Sequence, residues 1–109
     1  MERVYNKLVR DKIPNIIEEK GEKAIVRYLN DFEYKVELEK KLFEEYKETV
    51  EASGEERIEE LADMLEVIIA LAKLENFSLE GVLEKLRNKK IKRGGFDKKI
   101  FLEKVIESD

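Results

Sequence analysis

Two pairs of acidic residues have the spacing that places both carboxylates of a pair on one side of a helix. Glu45 and Glu48 form one pair in FEEYKET, and Glu60 and Asp63 form the other in EELADML. Residues at i and i+3 share a helix face. Carboxylates from two packed helices offer the oxygen ligands that a hard divalent cation such as Mg²⁺ prefers. The pattern therefore points to a metal-dependent enzyme that acts on phosphates.

The apolar pattern around the second pair separates it from ordinary surface acids. The chain has 26 acidic residues, so pairs with this spacing also arise by chance, and most of them are solvated helix faces. In the predicted helix 55–76, Glu59 lies at the solvated edge of a broad apolar face. The helix has a second apolar face, which carries Met64, Val67, Leu71 and Leu74, so we expect the helix to be buried on both faces. Glu60 and Asp63 continue that second face, so we expect them in a packed interface, where a charge needs a metal or a cationic partner.

The apolar pattern likewise separates the acids of the first pair, Glu45 and Glu48, from their neighbours on the preceding helix. Its main apolar face carries Phe32, Val36, Leu42, Phe43, Tyr46 and Val50. At about 100° per residue, Glu45 lies at the margin of this face and Glu48 lies further round, whereas Glu44 falls on the other side. The geometry favours Glu45 over Glu44 as a ligand and leaves Glu48 as a candidate. An antiparallel hairpin of the two helices would let the two acid pairs face each other.

The elements that position these residues are predicted from caps, breakers and periodicity. Helices are expected at about residues 14–20, 31–52, 55–76 and 79–92. The expected fold class is all-α, a small antiparallel helical bundle in a single domain over residues 1–109. Segment 23–29 is rich in β-branched and aromatic residues, and the tail 99–106 alternates weakly, which suits a strand or a short helix. The sequence also allows a minor extended pair between these two segments.

Composition limits the chemistry and the partners. The chain has 109 residues, 44% of them charged, a net charge of −4, and no His or Cys. Without these residues, a metal-activated water is more credible than a covalent Cys or His route. Net acidity argues against a nucleic-acid partner. The N-terminus lacks a signal-peptide pattern and no apolar run spans a bilayer, so a cytoplasmic location without a membrane partner is expected.

Basic residues near both ends of the chain are candidates for phosphate contacts. Lys89 and Arg93 lie at i and i+4 and can jointly hold a phosphate, although they also suit the negative end of a helix that stops at Gly94. Lys7 and Arg10 lie in KLVRDKIP, which can also be read as an ordinary charged helix entrance.

Four segments in order, KLVRDKIP, EExxE, EELADML and KxxxRGGF, carry a family resemblance. Together they resemble the all-α NTP pyrophosphohydrolases, the MazG-like superfamily, and in particular the small house-cleaning branch that opens with a KLVRDKIP-type segment. The resemblance implies a helical bundle, usually a homodimer or a higher homo-oligomer, that binds one or two Mg²⁺ ions. It also implies cleavage of a nucleoside triphosphate to NMP and pyrophosphate, as removal of non-canonical nucleotides. One departure is RGGF, where better-known members carry a longer RR-H-P-type stretch.

Family roles map onto this chain residue by residue. The resemblance places the metal ligands on Glu45, Glu48, Glu60 and Asp63. It leaves Glu44 and Glu59 as acids that position or deprotonate the attacking water. The expected phosphate contacts are Lys89, Arg93, Lys7 and Arg10.

Other functions remain open at this point. One is a non-catalytic helical module for oligomerisation, in which the acids are solvated or ion-paired. Another, within the same superfamily, is phosphoribosyl-ATP pyrophosphatase. A nucleic-acid binder that uses residues 85–99 is disfavoured by the net acidity and by the lack of interleaved aromatic residues.

Overall fold

The computed structural model describes residues 1–108, which form four helices and no strand. The helices are α1 (Ile13–Glu19), α2 (Asp31–Glu51), α3 (Glu55–Leu74) and α4 (Leu79–Arg93). The predicted all-α class is confirmed, and each helix lies close to its predicted bounds.

Local sequence signals explain where the helices begin. Pro14 lies in the first turn of α1, where its missing N–H is not needed. Asn30 caps α2: its side chain accepts from the Glu33 N–H at 2.8 Å, and the Glu33 carboxylate accepts from the Asn30 N–H at 3.3 Å. Ser78 caps α4 by accepting from the Gly81 N–H at 3.2 Å. These caps satisfy N–H groups that the helices themselves leave free.

Helices α2 and α3 form the hairpin that carries both acid pairs. Residues 52–54 connect them, and Gly54 adopts φ 60° and ψ −138°, a conformation that only glycine adopts readily. Beyond the turn, the Arg57 side chain donates to the Ala52 carbonyl at 2.8 Å. A connection this short makes the two helices antiparallel neighbours, and their contact is by far the largest between helices in residues 1–108.

The hairpin interface uses one face of each helix. Its buried apolar residues are Leu38 of α2 and Val67 of α3, so the second apolar face of α3 is the covered one, as the sequence predicts. The expectation that both faces of α3 are buried is wrong for the single chain, because Ile58, Leu61 and Leu65 are exposed. The physical reason is that α4 contacts α3 but is half-buried only in its first turns, so no helix covers the broad face.

The main apolar face of α2 is also uncovered. Phe43, Tyr46 and Val50 are more than half exposed, although Phe43 and Tyr46 contact each other with ring centroids 6.2 Å apart. The surface area of the chain is 10596 Å², whereas a compact monomer of this mass exposes about 6,300 Å². The excess, roughly 4,000 Å², comes from the uncovered helix faces together with the extended segments outside the helices.

The minor extended pair is absent from the part of the chain that the structure describes. Residues 22–30 and 99–108 contain no helix, strand, turn or bend. The tail leaves the end of α4 past Gly94, in a molecule that measures 70 × 33 × 25 Å. A turn closed by the Lys99 N–H and the Phe96 carbonyl at 3.3 Å precedes the tail, and no backbone hydrogen bond joins residues 99–108 to residues 22–30.

Candidate metal centre and active site

Three carboxylates from the hairpin converge into one group. Glu45 of α2 and Glu60 and Asp63 of α3 each place an oxygen within 4.8 Å of the other two. Glu45 is buried, at 6% exposure, and the other two side chains are half-buried. The hairpin brings these residues together because both acid pairs lie near the connection, on the sides where the helices pack. A group of this size and ligand type can hold a divalent cation.

Glu48, the fourth predicted ligand, lies next to this group of three. It is exposed, one turn along α2 from Glu45. The nearby carboxylate of Glu48 is the largest cause of the raised pKa of Glu60 and adds to the effect of burial on the pKa of Glu45, so it lies beside both. Three of the four predicted ligands thus form the group, and Glu48 lies beside it on a more exposed side.

The electrostatics of the two glutamates of the group, Glu45 and Glu60, show that they lack a counter-charge. Burial, followed by the neighbouring charges of Glu48 and Asp63, raises the pKa of Glu45 to about 7. The pKa of Glu60 is raised chiefly through its contact with Glu48. Oxygens Oε2 of Glu45 and Oε2 of Glu60 are buried without a hydrogen-bond partner. Buried oxygens of this kind are costly unless they are protonated or bind a cation, so the residues present fit a metal ion.

The N-terminal segment supplies cations at the edges of the group. Lys7 Nζ donates to Glu44 Oε1 at 2.9 Å, and an Arg10 guanidinium nitrogen donates to Asp63 Oδ1 at 2.6 Å. The ion pair between Lys7 and Glu44 raises the pKa of Lys7 and lowers that of Glu44. The charges of Glu45 and Glu48 also raise the pKa of Lys7. Residues 7–10 therefore lie across the hairpin beside the acids.

Ion pairing accounts for only one member of the carboxylate group. Asp63 has the cationic partner that a charge in a packed interface needs when no metal is bound. That partner comes from the N-terminal segment rather than from a helix. Within residues 1–108, neither Glu45 nor Glu60 has an ion pair with Lys or Arg. Their burial is therefore not explained by a salt bridge.

The two acids predicted to position water have different surroundings. Glu44 is half-buried between Lys7 and Lys41, whose ammonium lies 3.7 Å from it. Glu59 is exposed, and no ion pair holds it within residues 1–108. Glu44 is thus in place next to the group, whereas Glu59 lies on the solvated edge that its helical angle predicts.

The single chain does not bring Lys89 and Arg93 to the carboxylates. Both lie in the last turns of α4, where every residue from Glu84 onward is exposed. Neither side chain has an ion pair or hydrogen bond within the described residues. Their role at a phosphate stays a prediction, which needs a second copy of the chain or a movement of α4.

Sequence reasoning did not single out Lys40 and Lys41. With Lys7, they line a cleft of about 180 Å³ between the N-terminal segment and α2, next to Glu44. Lys41 lies at i, i+3 to Glu44, and this spacing is visible in the sequence. This spacing alone does not indicate a functional residue, because lysines on a charged helix surface are common.

The fold and the site define an all-α protein whose helix hairpin carries a group of three carboxylates suited to a divalent cation. The chain matches the family described as the MazG nucleotide pyrophosphohydrolase domain over residues 34–96. The match covers more than half of the chain and includes both acid pairs, so the chain belongs to this family. Comparison with curated proteins and with solved structures gives no significant match. Among the described residues, none of the helices combines the length and apolar character needed to cross a bilayer.

Proposed function

We propose that this protein is a Mg²⁺-dependent pyrophosphohydrolase that cleaves nucleoside triphosphates to NMP and pyrophosphate and removes non-canonical nucleotides in the cytoplasm. The observation that carries the proposal is the pair of buried, unpartnered carboxylate oxygens of Glu45 and Glu60, next to Asp63. They lie inside the region that matches a nucleotide pyrophosphohydrolase family. The whole chain, residues 1–109, acts as one catalytic domain in this proposal.

The proposed metal ligands are Glu45, Glu48, Glu60 and Asp63, which hold one or two Mg²⁺ ions. When bound, Mg²⁺ offsets the charge of the triphosphate oxygens and lowers the pKa of a coordinated water. The rigid hairpin holds the carboxylates in place before the substrate arrives. Glu45 must lose its proton for the group to bind the ion, because a ligand carboxylate is deprotonated.

Water is the nucleophile in the proposed reaction, since the chain offers no Cys or His. One water molecule adds across the bond between the α and β phosphates, which yields NMP and pyrophosphate. Glu44 orients this water in the proposal. Its lowered pKa keeps it ionised and able to accept a hydrogen bond, but it also makes Glu44 a weak base. Glu59 is the alternative for the same role.

Four basic residues are proposed to contact the phosphates: Lys7, Arg10, Lys89 and Arg93. Lys7 and Arg10 already lie beside the carboxylates, so they can stabilise charge on the triphosphate. Lys89 and Arg93 reach the site only from another copy or after a movement of α4. The uncovered faces of α2 and α3 support a homodimer or a higher homo-oligomer.

A panel of nucleotides tests the function. We expect canonical and damaged NTPs with Mg²⁺ to yield NMP and pyrophosphate in equal amounts, with the highest kcat/KM for a modified base. Phosphoribosyl-ATP and nucleoside diphosphates in the same panel separate the related activities. Release of inorganic phosphate alone, or no turnover of any nucleotide, would contradict the proposal.

The exposed apolar faces favour one second candidate, a helical interaction module without catalysis. Both candidates predict assembly, so the metal discriminates between them. A titration with Mg²⁺ raises the melting temperature if the carboxylates bind the ion. No shift together with no turnover would favour the module.

Substituting Arg10 should change metal binding and substrate binding in opposite directions. Arg10 offsets the charge of Asp63 when no substrate is present. We expect Arg10→Gln to raise the affinity for Mg²⁺ alone by roughly fivefold, because a cation next to the bound ion is removed. The same variant should raise KM for the nucleotide by about tenfold or more, since a phosphate contact is lost.

Calorimetry with Mg²⁺ alone and steady-state kinetics measure the two effects. Arg3→Gln is the matched control, because Arg3 pairs with Glu22 at 2.6 Å in the same N-terminal segment, and Glu22 is not one of the four proposed ligands. If Arg10→Gln weakens both Mg²⁺ and nucleotide, Arg10 instead holds Asp63 in position for the metal.

A further inference from the structure

Two segments outside the helices have free backbone hydrogen-bonding groups. Residues 23–29 and 100–107 run without a turn or a bend. None of their N–H or C=O groups takes part in a backbone hydrogen bond within residues 1–108. Each segment is thus equivalent to an unprotected strand edge, which readily pairs with another chain.

The same segments expose large apolar side chains. Ile25 is 83% exposed, Tyr28 95%, Phe101 87% and Ile106 84%. Single exposed apolar residues are normal, but a contiguous set of this kind marks an interaction surface. If two copies cover this excess of roughly 4,000 Å² on each other, they bury about 8,000 Å² in total, which falls among the largest interfaces of obligate homodimers. A second copy of the chain is therefore the partner whose size matches the uncovered surface.

We propose that residues 100–107 of one copy pair as an antiparallel strand with residues 23–29 of a second copy, with Glu103 opposite Arg27. This alignment also places Glu107 opposite Lys23, so both acids of the tail segment meet a cation. Arg27 already pairs with Glu33 at 3.3 Å, and its side chain is 70% exposed, which leaves it accessible to Glu103. Cross-strand pairs of opposite charge stabilise a sheet.

Apolar residues match in the same alignment. On the face that carries the ion pairs, the opposed apolar residues are Ile25 with Val105 and Leu29 with Phe101. On the other face they are Ala24 with Ile106 and Tyr28 with Leu102. Only Val26 faces a charged residue, Lys104. The parallel alignment that keeps Arg27 opposite Glu103 instead sets Lys23 against Lys99, so the antiparallel one is favoured.

Reciprocal exchange closes the assembly. Each copy gives one tail and receives one, so the same contact occurs twice around a two-fold axis and neither segment is left without its partner. The pairing adds to the homo-oligomer proposed above by naming the segments that join the copies. It does not depend on nucleotide hydrolysis, so the two proposals fail separately.

Disulfide cross-linking tests the pairing in the full chain, which has no cysteine of its own. We expect a mixture of the Ile25→Cys and Val105→Cys chains to give a disulfide-linked dimer after mild oxidation. The mixture of Tyr28→Cys and Leu102→Cys should behave similarly. Adjacent cross-strand pairs alternate in Cα separation, and the two mixtures sample both types of position. In a mixture of single variants, a bond between unlike chains can form only between copies.

The control mixture combines Ile25→Cys with Phe101→Cys, four positions out of alignment and about 13 Å further along the strand. We expect its yield of mixed dimer to be at least about tenfold lower at the same Cα-distance requirement. An equal yield would overturn the alignment. A full chain that sediments as a monomer, or an Ile25→Cys/Val105→Cys double variant that forms its disulfide within one chain, would overturn the exchange between copies.

Discussion

Replacing Glu45 by Gln is expected to abolish Mg²⁺-dependent pyrophosphate release and, at the same time, to raise the melting temperature of the metal-free protein. Glu45 is the buried member of the carboxylate group, and the amide of Gln keeps its shape while it removes the charge. Loss of a metal ligand should lower kcat/KM by about 100-fold or more, because substitutions even of the groups that support ligands cost 10- to 100-fold. The stabilisation by Mg²⁺ should disappear with the activity.

The gain in stability has a separate cause. Above pH 7 the metal-free protein must keep Glu45 ionised among other carboxylates, although its pKa in the folded state is about 7. Relative to the ordinary value of 4.5, the shift corresponds to a cost on the order of 3 kcal/mol. Gln carries no charge, so the cost of keeping an ionised group at this position disappears. The melting temperature should therefore rise by several degrees in a chain of this size.

Glu66→Gln is the control for both effects, since Glu66 is an exposed acid on α3 that has no ion pair within residues 1–108. Its activity and its melting temperature should stay close to those of the unmodified chain. Asp63→Asn should lose activity as Glu45→Gln does, since it removes another proposed ligand. Full Mg²⁺-dependent turnover in Glu45→Gln, with the helical circular dichroism signal retained, would reject the assigned site.

The second large effect is a dependence of Mg²⁺ affinity on pH. Because Glu45 holds a proton below pH 7, Mg²⁺ must displace that proton, and the affinity should fall about tenfold for each pH unit below 7. Calorimetry at several values between about pH 5.5 and 8.5, in buffers with different heats of ionisation, measures both the affinity and the proton released. Glu45→Gln should show weak binding and a shallower slope. An affinity that is constant over this range would contradict the protonation of Glu45.

The stability of the metal-free protein should also depend on the protonation of Glu45. It should fall as the pH rises, whereas the affinity for Mg²⁺ increases. The folded-state pKa of Glu45 lies above its unfolded value, so the folded state binds this proton more tightly. The resulting stabilisation is fully present below about pH 4.5 and is lost as the pH rises through about 7. The raised pKa of Glu60 acts in the same direction.

Sequence patterns predicted the helices and the acid group because both depend on local rules. Capping residues such as Asn30 and Ser78 set where α2 and α4 begin, and helical angle alone separated Glu60 from Glu59. The position of the N-terminal segment could not be predicted in this way. Lys7 pairs with Glu44 and Arg10 pairs with Asp63. The two members of each pair lie far apart along the chain, and no periodicity links them.

The failures have one common cause. Periodicity shows which helix faces are apolar, but not which of them the same chain covers. Phe43 of α2 and Leu61 of α3 both belong to strong apolar faces, and both are exposed. The extended segments show the same limit, since their composition suits strands but they do not pair with each other within the described chain.

The short connection at Gly54 has a consequence for how this sequence can vary. An insertion or a deletion of one residue within a helix rotates everything beyond it by about 100°. In the helical stretches on either side of this connection, 48–51 and 55–60, such a change would turn the α3 carboxylates away from those of α2, even if every chemically active side chain were still present. Chain length in these two stretches is therefore as restricted as residue identity, whereas the loops before Asn30 and after Leu74 can change length without separating the acids.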